Sequence, residues 1–101
     1  MNNSSLNNPY LIEKYQNGDS WYRIYSNGWC EQGGIATTNN VKFNFLIEFK
    51  DTDYNIQASS VTSATPPSSD CYLIFNLKDK DGAKLIGRPF PASWRACGYV
   101  S

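Results

Sequence analysis

The sequence predicts an all-β fold, a compact antiparallel β-sandwich of about seven or eight short strands. Three observations predict it. Short apolar and aromatic runs recur at regular spacing along the chain, several of them alternating apolar with polar. Turn residues stand between the runs, among them Asn17-Gly18-Asp19, Asn27-Gly28 and Asp81-Gly82. The composition is high in aromatics (15%) and low in charge (18%), and no run has a helical period. A length of 101 residues fits one domain with a modest core.

In chain order, residues 1–9 (MNNSSLNNP) are polar and read as a disordered lead or the cut end of a longer chain, with the domain at 10–101. Residues 10–16 (YLIEKYQ) suit a strand or a helix; their alternation and the turn that follows favour a strand. Residues 21–26 and 29–33 flank Asn27-Gly28, the strongest short hairpin signal. A two-residue type I′ loop would set Ser26 against Trp29, Tyr25 against Cys30, Ile24 against Glu31 and Arg23 against Gln32. Tyr22, Ile24, Ser26, Trp29 and Glu31 would then share one face. Trp21, Arg23, Tyr25, Cys30 and Gln32 would share the other, taken as the inner one because it holds Cys30. Gly33-Gly34 then allows a bend.

Residues 41–49 (VKFNFLIEF) form the clearest alternating strand and the expected spine of the core. Val41, Phe43, Phe45, Ile47 and Phe49 lie on one face, each worth roughly 1.5–3 kcal/mol on burial before ordering entropy. Residues 50–53 (KDTD) make a turn, and 54–62 return with Tyr54, Ile56 and Ala58 inward. Residues 63–70 (SATPPSSD) are a loop, because two prolines cannot sit in a ladder. Residues 71–77 (CYLIFNL) are apolar on both faces, as in a central strand between layers. Residues 78–82 hold a second hairpin turn, and 83–86 begin a return that 87–91 (GRPFP) interrupt. Residues 94–100 (WRACGYV) close the fold, with Trp94, Ala96, Gly98 and Val100 opposite Arg95, Cys97 and Tyr99.

Net charge is zero and no basic stripe is present, which argues against a nucleic-acid partner. With no histidine, Ser-His and Cys-His pairs and histidine metal sites are excluded. Cys30, Cys71 and Cys97 are widely spaced and form no CxxC pair; they read as buried free thiols, or as one disulfide plus a free thiol. No run suits a membrane span or a signal peptide, so no membrane insertion is expected.

Asp79-Lys80-Asp81-Gly82 echoes the start of a calcium loop, but Ala83 and Phe90 fill the fifth and twelfth ligand positions. The Asp51/Asp53 and Asp79/Asp81 pairs therefore read as solvated turns, and no metal or other cofactor is expected. Glu31 and Glu48 are mid-strand carboxylates that nothing ties into a glycosidase pair. Neither catalytic residues nor enzyme activity follow from these patterns. Tyr22, Trp29, Trp94 and Tyr99 either stack on sugar rings or serve as core or subunit-interface residues.

The run Trp21-Tyr22-Arg23 through Trp29-Cys30-Glu31-Gln32-Gly33-Gly34 resembles a hairpin of the C-terminal domain of bacteriophage and prophage tail fibre proteins. Glu13-Lys14-Tyr15-Gln16-Asn17-Gly18 upstream fits the same pattern. So do residues 41–49 followed by Lys50-Asp51-Thr52-Asp53-Tyr54, and the close Trp94-Arg95-Ala96-Cys97-Gly98-Tyr99. The likeness covers residues 12–100. It implies an all-β, non-enzymatic tip domain on an upstream tail fibre, homotrimeric, made in the bacterial host cytoplasm and carried on the virion. Its partner would be a bacterial surface receptor: polysaccharide, lipopolysaccharide or protein. Binding loops on a rigid sandwich place the receptor contacts at Thr65, Ser68, Ser69 and Asp70, and at Arg88, Phe90 and Trp94. Tyr22, Ile24 and Trp29 are the expected oligomer interface. The alternative is a domain that trimerises and caps the fibre without touching the receptor.

Overall fold

Alternating apolar residues between turn signals become strands throughout. The computed structural model describes residues 8–61 and 72–101. Among them are β1 (Leu11–Asn17), β2 (Ser20–Tyr25), β3 (Trp29–Ala36), β4 (Lys42–Asn44), β5 (Asn55–Ser60), β6 (Tyr72–Asp79), β7 (Gly82–Arg88) and β8 (Ala92–Tyr99). They form two antiparallel sheets, one ordered β1-β2-β3-β8-β5 and the other β4-β7-β6. The all-β sandwich expected from the sequence is therefore the fold. No helix among the described residues is long and apolar enough to cross a membrane.

The core lies where small residues of one sheet meet large rings. On the inner face β3 and β8 offer Cys30, Gly34, Ala36, Ala92, Ala96 and Gly98, all buried. Phe45 fills that space with its ring 5.3 Å from Phe49, 5.2 Å from Tyr54 and 5.3 Å from Trp94. Phe49 stacks on Tyr54 at 4.6 Å, and Phe43 lies 4.9 Å from Trp94. A side chain at Gly98 would meet Tyr54 Cβ at 2.7 Å, so the small-residue strip is a steric requirement. Ala83 and Leu85 of β7 close the other side with no exposure.

Residues 41–49 are not one strand. Only β4 is in a ladder, and Val41 is 53% exposed. The rings still alternate inward from Phe43 to Phe49, but the backbone leaves the sheet to cross between layers. Its polar groups find other partners: Phe45 N–H donates to Asp81 C=O (2.8 Å), Phe49 N–H to Lys80 C=O (2.9 Å) and Lys50 N–H to Tyr99 C=O (2.9 Å). At the middle of the crossing the carboxamide of Gln32, which is fully buried, takes the place of a strand. Its Nε2 donates to Ile47 C=O (2.8 Å), and its Oε1 accepts from Ile47 N–H (3.1 Å).

Two further expectations are corrected. β6 is the edge of its sheet rather than a central strand, and Tyr72 (50%) and Ile74 (52%) stand exposed. The β2–β3 hairpin is one residue out of the expected register, pairing Ile24 with Cys30, Arg23 with Glu31, Tyr22 with Gln32 and Trp21 with Gly33. Of the two turn residues only Gly28 takes a positive φ (+88°), and its N–H donates to Tyr25 C=O at 2.9 Å. Asn27 Oδ1 accepts from Trp29 N–H (3.0 Å). The loop is thus Ser26-Asn27-Gly28, a three-residue turn with glycine in the left-handed position, not a type I′ pair. One extra loop residue moves the partner strand by one and reverses which side chains share a face.

Candidate functional site

The register determines what the five-stranded sheet shows to the outside. One cross-strand row runs Gln16, Trp21, Gly33, Arg95, Gln57, and the next runs Lys14, Arg23, Glu31, Cys97, Asn55. Trp29 and Tyr99 pair at the hairpin end. This outer face has its own internal packing. A Cβ at Gly33 would come within 2.7 Å of the Trp21 indole nitrogen, so the indole lies on bare backbone. The Arg23 guanidinium sits over that ring at 4.8 Å from its centroid and that of Arg95 at 5.9 Å. Arg95 reaches Glu31 at 3.5 Å, and the Trp29 indole donates to the same Glu31 oxygen at 3.4 Å. Trp29 meets Tyr99 edge-on at 5.1 Å, and Lys50 Nζ lies 5.5 Å from the Tyr99 ring. At the β1–β2 end Lys14, Gln16, Trp21 and Arg23, together with Tyr15 and Tyr22 of the opposite face, border a shallow depression of about 400 Å3.

The opposite face of the β1–β2 end is different. Tyr15 and Tyr22 stack at 5.5 Å, and the Tyr22 hydroxyl donates to Glu13, which holds the phenol above its usual range. Ile24 on the same face packs against the edge of the core. β1 is exposed along its whole length.

These positions regroup the residues singled out in the sequence. Tyr22 and Ile24 share the inner face with Cys30, whereas Trp29 is on the outer face with Trp21; the added loop residue separates them. Trp94 is not a surface contact. It is 6% exposed and packed between Phe43 and Phe45, because it stands on β8 over the bare backbone of Gly34. Phe90 is partly buried against the core, and Arg88 is exposed at the end of β7. Thr65, Ser68, Ser69 and Asp70 lie outside the described residues. Sequence reasoning missed Trp21, Arg23 and Arg95 as a group, since it placed Trp21 on the inner side. The adjacent glycines at 33–34 are the signal that could have found it, because a ring needs such a bed.

Elsewhere, Cys30 and Cys97 are free thiols. They face opposite sides of the sheet, and burial pushes the Cys30 thiol up to about 12. The calcium-loop echo is occupied by a cation of the chain itself: Lys42 Nζ lies 2.8 Å from Asp81 and 3.4 Å from Asp79. That hydrogen bond lowers the Asp81 pKa and raises that of Lys42. Among the described residues no three potential metal ligands come together.

No protein-family model and no curated protein matches the sequence. Two solved structures do match in fold. One is a C-terminal fragment of the R2 pyocin fibre of P. aeruginosa, at 19% identity and a TM-score of 0.70, over 95% of this chain and 28% of that one. The other is an N-truncated R2-type pyocin tail fibre, at 19% identity and a TM-score of 0.70, over 95% of this chain and 41% of that one. The chain thus has the fold of part of a tail fibre and spans less than half the length of either fragment.

Proposed function

We propose that this chain is a non-enzymatic tip domain of a phage or prophage tail fibre that binds a bacterial surface receptor, preferably a glycan, during host adsorption. The observation that carries this is the fold shared with the R2 pyocin tail fibre over 95% of the chain. The order of the hairpin, corner and closing motifs in the sequence supports it. So does the outer face, where aromatic rings and cations sit on a rigid sheet rather than in a core. On this reading the domain works as a homotrimer on an upstream fibre and is carried on the virion after synthesis in the host cytoplasm.

Purified protein labelled with a fluorophore and mixed with a panel of bacterial strains should mark a subset of them. Removing envelope polysaccharide from a marked strain should abolish the signal. A trimeric preparation that marks no strain would remove receptor binding and leave the capping role. The stacked Tyr15–Tyr22 pair at the exposed β1–β2 end favours that second role, since it offers an aromatic surface to another copy of the chain.

A further inference from the structure

The geometry points to an anionic saccharide, one carrying phosphate or carboxylate groups, as the ligand of the outer face, held by Arg23, Arg95 and Lys14 around Trp21. The inference rests on the receptor-binding function proposed above and specifies its ligand. Nine cationic and nine anionic side chains balance over the whole chain, but two of the cations, Arg23 and Arg95, stand over this one indole, and Lys14 is the cross-strand neighbour of Arg23. Among the described residues neither Lys14 nor Arg23 has a carboxylate partner, and Arg95 has only the 3.5 Å contact to Glu31. With Glu31 opposite Arg23 and in contact with Arg95, the three cations leave a local excess of two positive charges.

The indole does more than fill space. It lies on bare backbone at Gly33 and presents its upper face to two guanidinium groups, which it draws towards one spot through cation–π attraction. Two long side chains are thereby ordered before any ligand arrives, which lowers the entropy cost of a bidentate contact. Planar guanidinium forks suit carboxylate and phosphate oxygens. The carboxamides of Gln16 and Gln57 at the two ends of the Trp21–Arg95 row suit sugar hydroxyls. A depression of about 400 Å3 at the β1–β2 end, lined by residues of both faces of the sheet, adjoins Lys14, Trp21 and Arg23, while Arg95 and Gln57 lie outside it. A nucleic acid would call for a longer cationic track than three side chains on a neutral chain.

The test follows the Trp21 indole N–H by NMR in the full chain. The probes are oligogalacturonate, a phosphorylated mannan oligosaccharide, neutral dextran of equal length and a single-stranded DNA oligomer. The Trp21 signal should shift with at least one of the two anionic saccharides and not with dextran; the one that shifts it identifies carboxylate or phosphate. Arg23→Glu with Arg95→Glu should weaken that binding at least about tenfold, as loss of charge-assisted bonds requires. Tyr72→Ala on the other sheet should leave it unchanged. Equal response to dextran, tighter binding of DNA, or no shift with either anionic saccharide would overturn the inference. Cell marking by the double variant separates the two proposals. If it marks cells as well as wild type, the anionic ligand falls and receptor binding stands. If wild type marks no cells yet Trp21 responds to an anionic saccharide, the reverse holds.

Discussion

Gln32 shows how much one side chain decides. Its carboxamide closes a two-bond ring with the backbone of Ile47, as an opposing strand residue would, and so lets residues 41–49 leave the sheet with their polar groups satisfied. Gln32→Leu keeps the volume and removes both bonds. The Ile47 N–H and C=O then lose their partners at a half-buried site, at about 1–2 kcal/mol each. Urea unfolding should give a loss of about 2–4 kcal/mol; a loss under ~1 kcal/mol would mean that water takes over. A second residue-scale prediction concerns alkaline pH. Burial raises Cys30 from 9.0 and Tyr54 from 10.0, each to about 12. Both groups are neutral when protonated, so the unfolded chain loses these protons first as pH rises. Their contribution is whole below pH 9 and drains away between 9 and about 12. Stability by urea titration should fall steadily from pH 9 upward, and Cys30→Ala should flatten the first part of the fall. The inner-face placement of Cys30 and Gln32 was legible, because strand alternation puts the two on one side. The bonds that Gln32 makes were not, because its partner is a backbone group fifteen positions away that no side-chain pattern reports.

At the scale of elements, turns and alternation were legible and register was not. Seven of the eight strands overlap the apolar or alternating runs that turn residues bound; β4 is the remnant of a run expected to be longer. Asn27-Gly28 correctly marked a hairpin, but the same dipeptide serves a two-residue and a three-residue loop. The choice between them depends on where the strands meet the rest of the sheet. Burying Cys30 and Gln32 on the inner face while turning Arg23 and Glu31 to the outer one requires the longer loop. That requirement lies in the other layer, and a local pattern cannot contain it. The hairpin makes a direct prediction at Gly33. An added methyl would sit 2.7–2.8 Å from the Trp21 ring and 2.8 Å from Trp94 C=O. Gly33→Ala should cost about 1–3 kcal/mol by overpacking. It should also move the Trp21 indole N–H resonance while the Asp81-Gly82 hairpin stays unchanged. An unaltered indole would mean that the ring does not rest on Gly33.

For the whole molecule, the two faces of the β1–β2 end predict separate behaviours from residues that the sequence had grouped together. β1 is a sheet edge, and Leu11 (43%) and Ile12 (58%) are exposed on it. Unpaired backbone and apolar side chains at an edge invite another strand or another copy. On the homotrimer proposed above, a second copy is the occupant expected there. Tyr22, stacked on Tyr15, is within that surface, whereas Trp29 is on the far face against Tyr99. If the chain is the proposed trimer, Tyr22→Ala should shift sedimentation towards monomer with an unchanged far-ultraviolet circular dichroism spectrum. Trp29→Ala should sediment as wild type does. If Trp29→Ala dissociates the assembly and Tyr22→Ala does not, the subunits meet through the outer face. The Trp21 cluster would then be covered in the trimer, and receptor contact would fall to the ends of the sandwich, where Arg88 is exposed.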